Sequence, residues 1–260
     1  MNQSADDGST LSPLPDEMES YDLSDDRPVG RLLGRREALV LLAASGLTLL
    51  ARPRVAQAAT GALPSCVARP QQTSGPFFVE EALDRSDIRS DPASGAASPG
   101  VPLRLTFRVS RLDGSGCTPL SGATVHVWQC DASGRYSDIR EWGGSTAGQK
   151  FLRGYQTADA GGVAAFTTIY PGWYEGRAVH VHFKIRTAGK REFTSQLYFD
   201  DALSDRVFAN AAYPPGAAAR RMRNDRDGLF RTNGKQLLLD AREEADGIVS
   251  TFDIGLNLPS

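Results

Sequence analysis

His180 and His182 stand one residue apart in the run Tyr-Pro-Gly-Trp-Tyr-Glu-Gly-Arg-Ala-Val-His-Val-His-Phe, residues 170–183. On a β-strand, residues i and i+2 point to the same face, so both imidazoles project together while Val181 and Phe183 face the other way. That is a chelating pair. A bare His-x-His on a half-exposed strand is ordinarily just solvated, but the chain has three histidines in all, and two of them share one strand face beside a turn rich in Tyr and Gly. The run holds no cysteine, no His-Glu-x-x-His helix and no acidic cluster, which serves zinc on sulfur ligands and calcium on oxygen ligands poorly. Tyrosine is in supply instead. A phenol with a pKa near 10 ionises at neutral pH only beside a strongly Lewis-acidic ion, whose charge stabilises the phenolate. Anionic oxygen with imidazole nitrogen is a donor set that suits ferric iron.

Several blocks elsewhere carry a resemblance. Phe-Leu-Arg-Gly-Tyr-Gln-Thr-Ala-Asp-Ala-Gly-Gly (residues 151–162) precedes Phe166 and the histidine run; Gly-Ala-Thr-Val-His-Val-Trp-Gln-Cys-Asp-Ala-Ser-Gly-Arg-Tyr-Ser-Asp (122–138) lies upstream. Gln-Thr-Ser-Gly-Pro-Phe-Phe (72–78) stands near the expected mature start, and Thr-Ser-Gln-Leu-Tyr-Phe-Asp-Asp (194–201) follows the histidines. In this order the blocks resemble the intradiol ring-cleavage dioxygenases, in particular the exported single-domain relatives of the protocatechuate 3,4-dioxygenase β chain. The resemblance runs from about Cys66 to the C-terminus, and separated blocks in one order are more specific than any single motif.

The resemblance implies a site. Tyr136 takes the place of the family's first tyrosine ligand and Tyr174 that of the second, which comes two residues after Pro-Gly; Tyr170 is the competing tyrosine. With His180 and His182 they complete the metal ligands, and the implied cofactor is Fe(3+). Arg177 occupies the position over the substrate ring, where a fixed cation would stabilise negative charge developing in a bound catecholate. Gln196 would orient by hydrogen bonding. The implied reaction is O2-dependent cleavage of a catechol between its hydroxyl-bearing carbons to a cis,cis-muconate-type product, with Tyr174 leaving the metal and taking up a catechol proton while Tyr136, His180 and His182 stay. His126, alternating with Val125 and Val127, reads as a structural or surface histidine, and Trp173, Phe77 and Phe78 read as core.

Two other classes compete. One is a non-catalytic β-sandwich module that binds phenolic or carbohydrate-associated ligands, and all four candidate ligands argue against it. The other is a hydrolytic zinc enzyme, which the tyrosines and the missing carboxylate ligand disfavour.

The bulk properties agree with a soluble enzyme acting on a small molecule. The chain is 40% hydrophobic and 23% charged with a formal net charge of −2; residues 1–58 hold nine acidic and six basic groups, leaving 22 against 23 in the remainder. A near-neutral domain has no field to steer a polyanion, so nucleic acid is not an expected partner; a catechol and O2 are. Arg35 and Arg36 precede the apolar run from Ala38 to Leu50, thirteen residues and too short to span a bilayer, and small residues end it at Ala56-Gln-Ala58. This reads as a twin-arginine signal peptide behind an acidic tract (1–58), with Met18 as an alternative start, cleavage after Ala58, no stable membrane insertion, and export to the periplasm or beyond. Leu63-Pro-Ser-Cys66 is a poor lipidation box because of its proline and its distance from the apolar run. Cys66, Cys117 and Cys130 permit one disulfide and one free thiol, with the pairing open.

These residues must be positioned by strands. After Ala58 no long amphipathic helix is visible; short strand-like runs, several with period-2 alternation, span 103–109, 124–129, 163–168, 178–185, 194–199, 237–239 and 248–254, separated by Gly, Pro, Asp and Ser. The expected fold is all-β: a single catalytic domain over residues 59–260, an antiparallel β-sandwich with long functional loops, and one helical or irregular insertion at 202–226. Residues 59–76 are too short to supply the helical dimerisation region of catechol 1,2-dioxygenases, which leaves the particular catechol and the oligomeric state open.

Overall fold

The computed structural model describes residues 67–113, 116–140, 145–220 and 222–258. The expected leader, Ala59 and Cys66 lie outside the described residues. Among the described residues there are nine strands: β1 Pro102–Leu112, β2 Cys117–Pro119, β3 Thr124–Trp128, β4 Arg153–Thr157, β5 Val163–Ile169, β6 His180–Arg186, β7 Glu192–Tyr198, β8 Ala241–Glu244 and β9 Gly247–Asn257. Two short helices are α1, Asp201–Val207, and α2, Gly228–Asn233.

The strands form two sheets. One has the order β4-β3-β6-β7, antiparallel throughout. In the other, β1 pairs in parallel with β9 and antiparallel with both β5 and β2, and β8 closes against β9. The parallel β1–β9 pair departs from an all-antiparallel plan. Parallel neighbours need a long crossover, and here nearly the whole domain separates the two strands and provides it.

Alternation sends one face of each sheet into the shared core. β1 buries Leu103, Leu105, Phe107 and Val109 while the residues between them stay partly exposed. Phe183 of β6 meets Phe107 at 5.2 Å and Phe252 of β9 at 5.6 Å between ring centroids, so Val181, Phe183 and Ile185 face the opposite sheet. Each fully buried aliphatic or phenyl side chain contributes roughly 1.5–3 kcal/mol of transfer free energy. His180, His182 and Lys184 must then lie on the outer face of the four-stranded sheet, and they too are buried because loops cover that face.

The expected strand at 237–239 does not form. Gly234–Leu237 is a 3-10 turn, after which Leu238 makes a single bridge to Tyr198. Leu237 and Leu239 are buried around an exposed Leu238, which produces strand-like alternation without a strand partner. The expected insertion at 202–226 contains most of α1 and the 3-10 turn Ala217–Ala219. Cys117 is disulfide-bonded, and Cys130 is a buried free thiol.

Candidate metal centre

β6 sets the site's frame. Its register places His182 between Trp128 of β3 and Gln196 of β7, and His180 beside Tyr198 of β7. The indole of Trp128 lies parallel to the His182 ring at 5.0 Å with a 5° interplanar angle, which fixes the imidazole plane by stacking. Gly75 crosses close by at φ +66°, and a Cβ there would stand 3.2 Å from His182 Cε1, so glycine serves both the backbone conformation and the close approach.

The imidazoles meet edge to face, with their Nε2 atoms 3.1 Å apart. His180 Nδ1 lies 2.7 Å from the carbonyl of Ala178. A carbonyl only accepts, so Nδ1 carries the proton and Nε2 presents its lone pair inward. Around that lone pair stand Tyr136 Oη at 3.4 Å, Tyr174 Oη at 3.3 Å and His182 Nε2 at 3.1 Å. One lone pair cannot accept from three partners, so hydrogen bonding does not account for the convergence. Donors bound to one ion at about 2.0–2.2 Å stand roughly 3 Å apart, which is the spacing found.

Loops deliver the tyrosines. Asp131 Oδ1 accepts from the backbone N–H groups of Ser133 and Arg135 and from the Ser133 hydroxyl, shaping the turn that ends at Tyr136. Arg153 reaches from β4 to the Ser137 hydroxyl, and Thr146 donates to the Tyr136 carbonyl at 2.6 Å. Phe77 stacks on Tyr136 at 4.3 Å and meets Tyr174 edge-on at 5.7 Å. The Gly172 N–H donates to the Asp131 carbonyl at 3.1 Å, joining the two tyrosine loops. The sequence places the turn at Pro171-Gly172; it forms at Glu175–Gly176, where Gly176 has φ +86°, while Gly172 is needed because a Cβ would run into the Asp131 and Ala132 backbone.

Electrostatics set the demand for a cation. Burial, reinforced by Arg177, pushes His180 down to about 3, and burial with the neighbouring His180 pushes His182 well below its usual range. Burial, with Tyr174 adding to it, pushes Tyr136 well above the ordinary phenol value; burial takes Tyr174 up to about 12 although Arg177 pulls the other way. The cluster is thus two neutral imidazoles and two phenols that would ionise only beside an added positive charge. Among the described residues no group of three His, Cys, Asp or Glu side chains converges, so a metal on His180 and His182 draws its further ligands from the tyrosines. The donor set fits iron.

The remaining candidates lie alongside. Arg177 Nε donates to Asp227 Oδ2 at 2.9 Å, and its Nη2 donates to Gln196 Oε1 at 2.6 Å and to Tyr198 Oη at 3.2 Å. Gln196 is aimed by its own amide N–H, which donates to the Thr73 carbonyl at 3.0 Å. Tyr170 is not brought in: its hydroxyl bonds Ser204 at 2.6 Å and its ring packs on Phe199. Trp173 anchors to the Ala217 carbonyl, Phe77 packs against the site's tyrosines, and His126 is buried against Tyr155 and Phe78 away from the donors. Sequence reasoning passed over Asp227, Tyr198 and Trp128. Tyr198 follows Gln196 by two on β7 and so shares its face, and Trp128 ends the strand paired with β6; Asp227-Gly228 is a helix-cap signal that says nothing of Arg177.

Comparison with known proteins bears on the family. Residues 73–256 match the model of the family described as Dioxygenase. The chain is 30% identical over 145 residues to chlorocatechol 1,2-dioxygenase of Rhodococcus opacus, covering 48% of this chain and 54% of that protein. It is also 30% identical over 147 residues to hydroxyquinol 1,2-dioxygenase of Nocardioides simplex, covering 51% and 48%. The chain thus spans about half the length of the curated relatives it matches. Among solved structures it resembles the intradiol ring-cleavage dioxygenase from Tetranychus urticae, with a TM-score of 0.64 and 30% identity over 74% of this chain and 95% of that one. The family match spans most of the chain, and the chain belongs to the family of intradiol ring-cleavage dioxygenases.

Proposed function

We propose that the protein is an exported non-haem Fe(III) dioxygenase that cleaves a catechol-type aromatic between its hydroxyl-bearing carbons, placing both atoms of O2 in a cis,cis-muconate-type product. The observation that carries this is the convergence of Tyr136, Tyr174, His180 and His182 on one buried point without an acidic ligand. When bound there, ferric iron would hold the phenols as phenolates and activate a chelated catecholate toward O2.

The protein's own groups divide the remaining work. Tyr136 is 4% exposed and stacked on Phe77, which suits a permanent donor, while Tyr174 is only partly buried and, as a phenolate leaving the metal, would take up a catechol proton. Arg177, gripped at Nε and Nη2, is a preorganised cation for negative charge that develops on the ring, the kind of interaction that contributes several kcal/mol to a barrier in a site closed to water. Gln196 ties that cation to the Thr73 backbone in the segment that covers the site. Tryptophan and phenyl faces at Trp128 and Phe77 exclude water around the donors.

Export is supported by the paired arginines before a short apolar run and by the disulfide at Cys117, which suits an oxidising compartment. Among the described residues no helix is long and apolar enough to cross a membrane. The test is to load the metal-free protein with iron and offer a panel of catechols. A red-brown protein that consumes O2 in equal amount with a catechol supports the reading; a colourless iron-loaded protein with no uptake on any catechol overturns it.

A further inference from the structure

Asp227 is 1% exposed and saturated with donors. Its Oδ1 accepts from the N–H groups of Leu229 at 2.8 Å and Phe230 at 3.2 Å, capping α2. Its Oδ2 accepts from Arg177 Nε at 2.9 Å and from the Ala178 N–H at 2.8 Å. Neither of the Oδ2 bonds is needed for a helix cap. Through the first, the guanidinium is gripped along its Nε edge, which leaves Nη2 to Gln196 and Tyr198 and fixes the plane of the cation. Through the second, Asp227 holds the N–H of Ala178, the residue whose carbonyl, one peptide unit on, accepts from His180 Nδ1 at 2.7 Å. One carboxylate, about fifty residues from Arg177 and Ala178 in sequence, therefore fixes the cation and the segment that leads to an imidazole in one frame.

We infer that Asp227 is a positioning residue that acts through Arg177 and the Ala178 peptide to hold the guanidinium in register with His180; its consequence for turnover rests on the dioxygenase reading above. Removing an outer partner that orients a functional group typically costs 10–100-fold in activity or metal affinity. A residue that merely caps α2 would cost stability and nothing else.

Asp227→Ser separates the two roles, because serine is a good N-cap and is too short to reach Arg177. The metal-free parent should show a slowly exchanging Arg177 Nε–H resonance by NMR, and the Asp227→Ser protein should lose it while keeping an unfolding midpoint within a few degrees of the parent. Loaded with iron, it should keep the resting visible band and lose roughly 10–100-fold in kcat, with a much smaller change in KM. Added to Arg177→Gln, it should cost less than about a further twofold, since its partner is already gone. Asp227→Asn, which offers one carbonyl oxygen to four donors, answers the same questions if the serine variant does not fold. A surviving Nε–H resonance, a parent-like kcat, or losses that multiply in the double variant would overturn the inference. A parent protein that turned over no catechol would defeat the dioxygenase reading instead, and the NMR comparison would still decide whether Asp227 positions Arg177.

Discussion

Tyr136 and Tyr174 lie almost equally far from His180 Nε2, yet their surroundings differ, and that difference predicts different phenotypes. Each Tyr→Phe change removes a phenolate donor and should shift the visible band of the iron-loaded protein. Tyr136→Phe should also lower iron retention, whereas Tyr174→Phe should keep more iron and turn over poorly because a proton acceptor has gone; iron assay beside steady-state rates checks both. Tyr170→Phe should leave the band alone, since Tyr170 spends its hydroxyl on Ser204. His126 offers a pH test remote from the donors. Burial first, then Arg186 and Lys184, against Glu80 and Glu192, bring it from 6.5 down to about 4. The unfolded chain binds the extra proton between those values, so this stability is fully present above about 6.5 and is lost as pH falls to about 4. Relative to His126→Gln, the parent should lose on the order of 1–2 kcal/mol across that window, a figure discounted for residual exposure; denaturant titrations that kept the two in parallel would contradict it. At this scale the four candidate donors were legible because the chain has three histidines, two of them on one strand face, and because the blocks that hold the tyrosines resemble a family. Asp227 was not, since only folding brings it beside Arg177.

β6 does the positioning because its period-2 alternation assigns Val181, Phe183 and Ile185 to the sandwich core and His180 and His182 to the covered face. The same alternation made β1, β3, β5, β7 and β9 readable. β2 and β8 are three and four residues long, too short for a pattern to rise above noise; β4, as long as β3, reads Arg-Gly-Tyr-Gln-Thr without the alternating valines of β3; and 237–239 mimicked a strand through alternate burial around Leu238. Residues 67–101 carry no alternation at all. They run as extended chain stitched to both sheets through Gln72 to Thr194 and through bridges from Ala68, Asp84 and Asp87, so their placement depends on strands distant in sequence. Gly75 sits in that segment, and Gly75→Ala should prove costly: an L residue at φ +66° is strained by about 1 kcal/mol or more, and its Cβ would press on the His182 ring. The expected result is a lower unfolding midpoint in the metal-free protein and weaker iron retention. Parent-like values for both would show that His182 does not depend on this contact.

Across the whole molecule, the site is roofed by chain from both ends of the domain: Thr73, Gly75 and Phe77 from its start and Asp227 from near its end close over strands β3, β6 and β7. The cysteines report on the same frame. With Cys117 bonded and Cys130 buried, its thiol pushed up by loss of solvent and by the nearby Asp131, thiol titration should find one group per chain under denaturing, non-reducing conditions and almost none in the native protein. A denatured count of three would contradict the disulfide. The all-β class followed from the spacing of short alternating runs; the parallel β1–β9 pair did not, because strand direction is set by the path of the whole chain. The central claim is intradiol cleavage at the Tyr136, Tyr174, His180 and His182 cluster, and the measurement that tests it most directly is turnover of a catechol by the iron-loaded protein under isotopically labelled O2. The account predicts a ring opened between the hydroxyl-bearing carbons, with both labelled atoms in the product and no cleavage by His182→Ala; an aldehyde product opened beside the hydroxyls, or label from only one oxygen atom in a product that never exchanges with water, would contradict it.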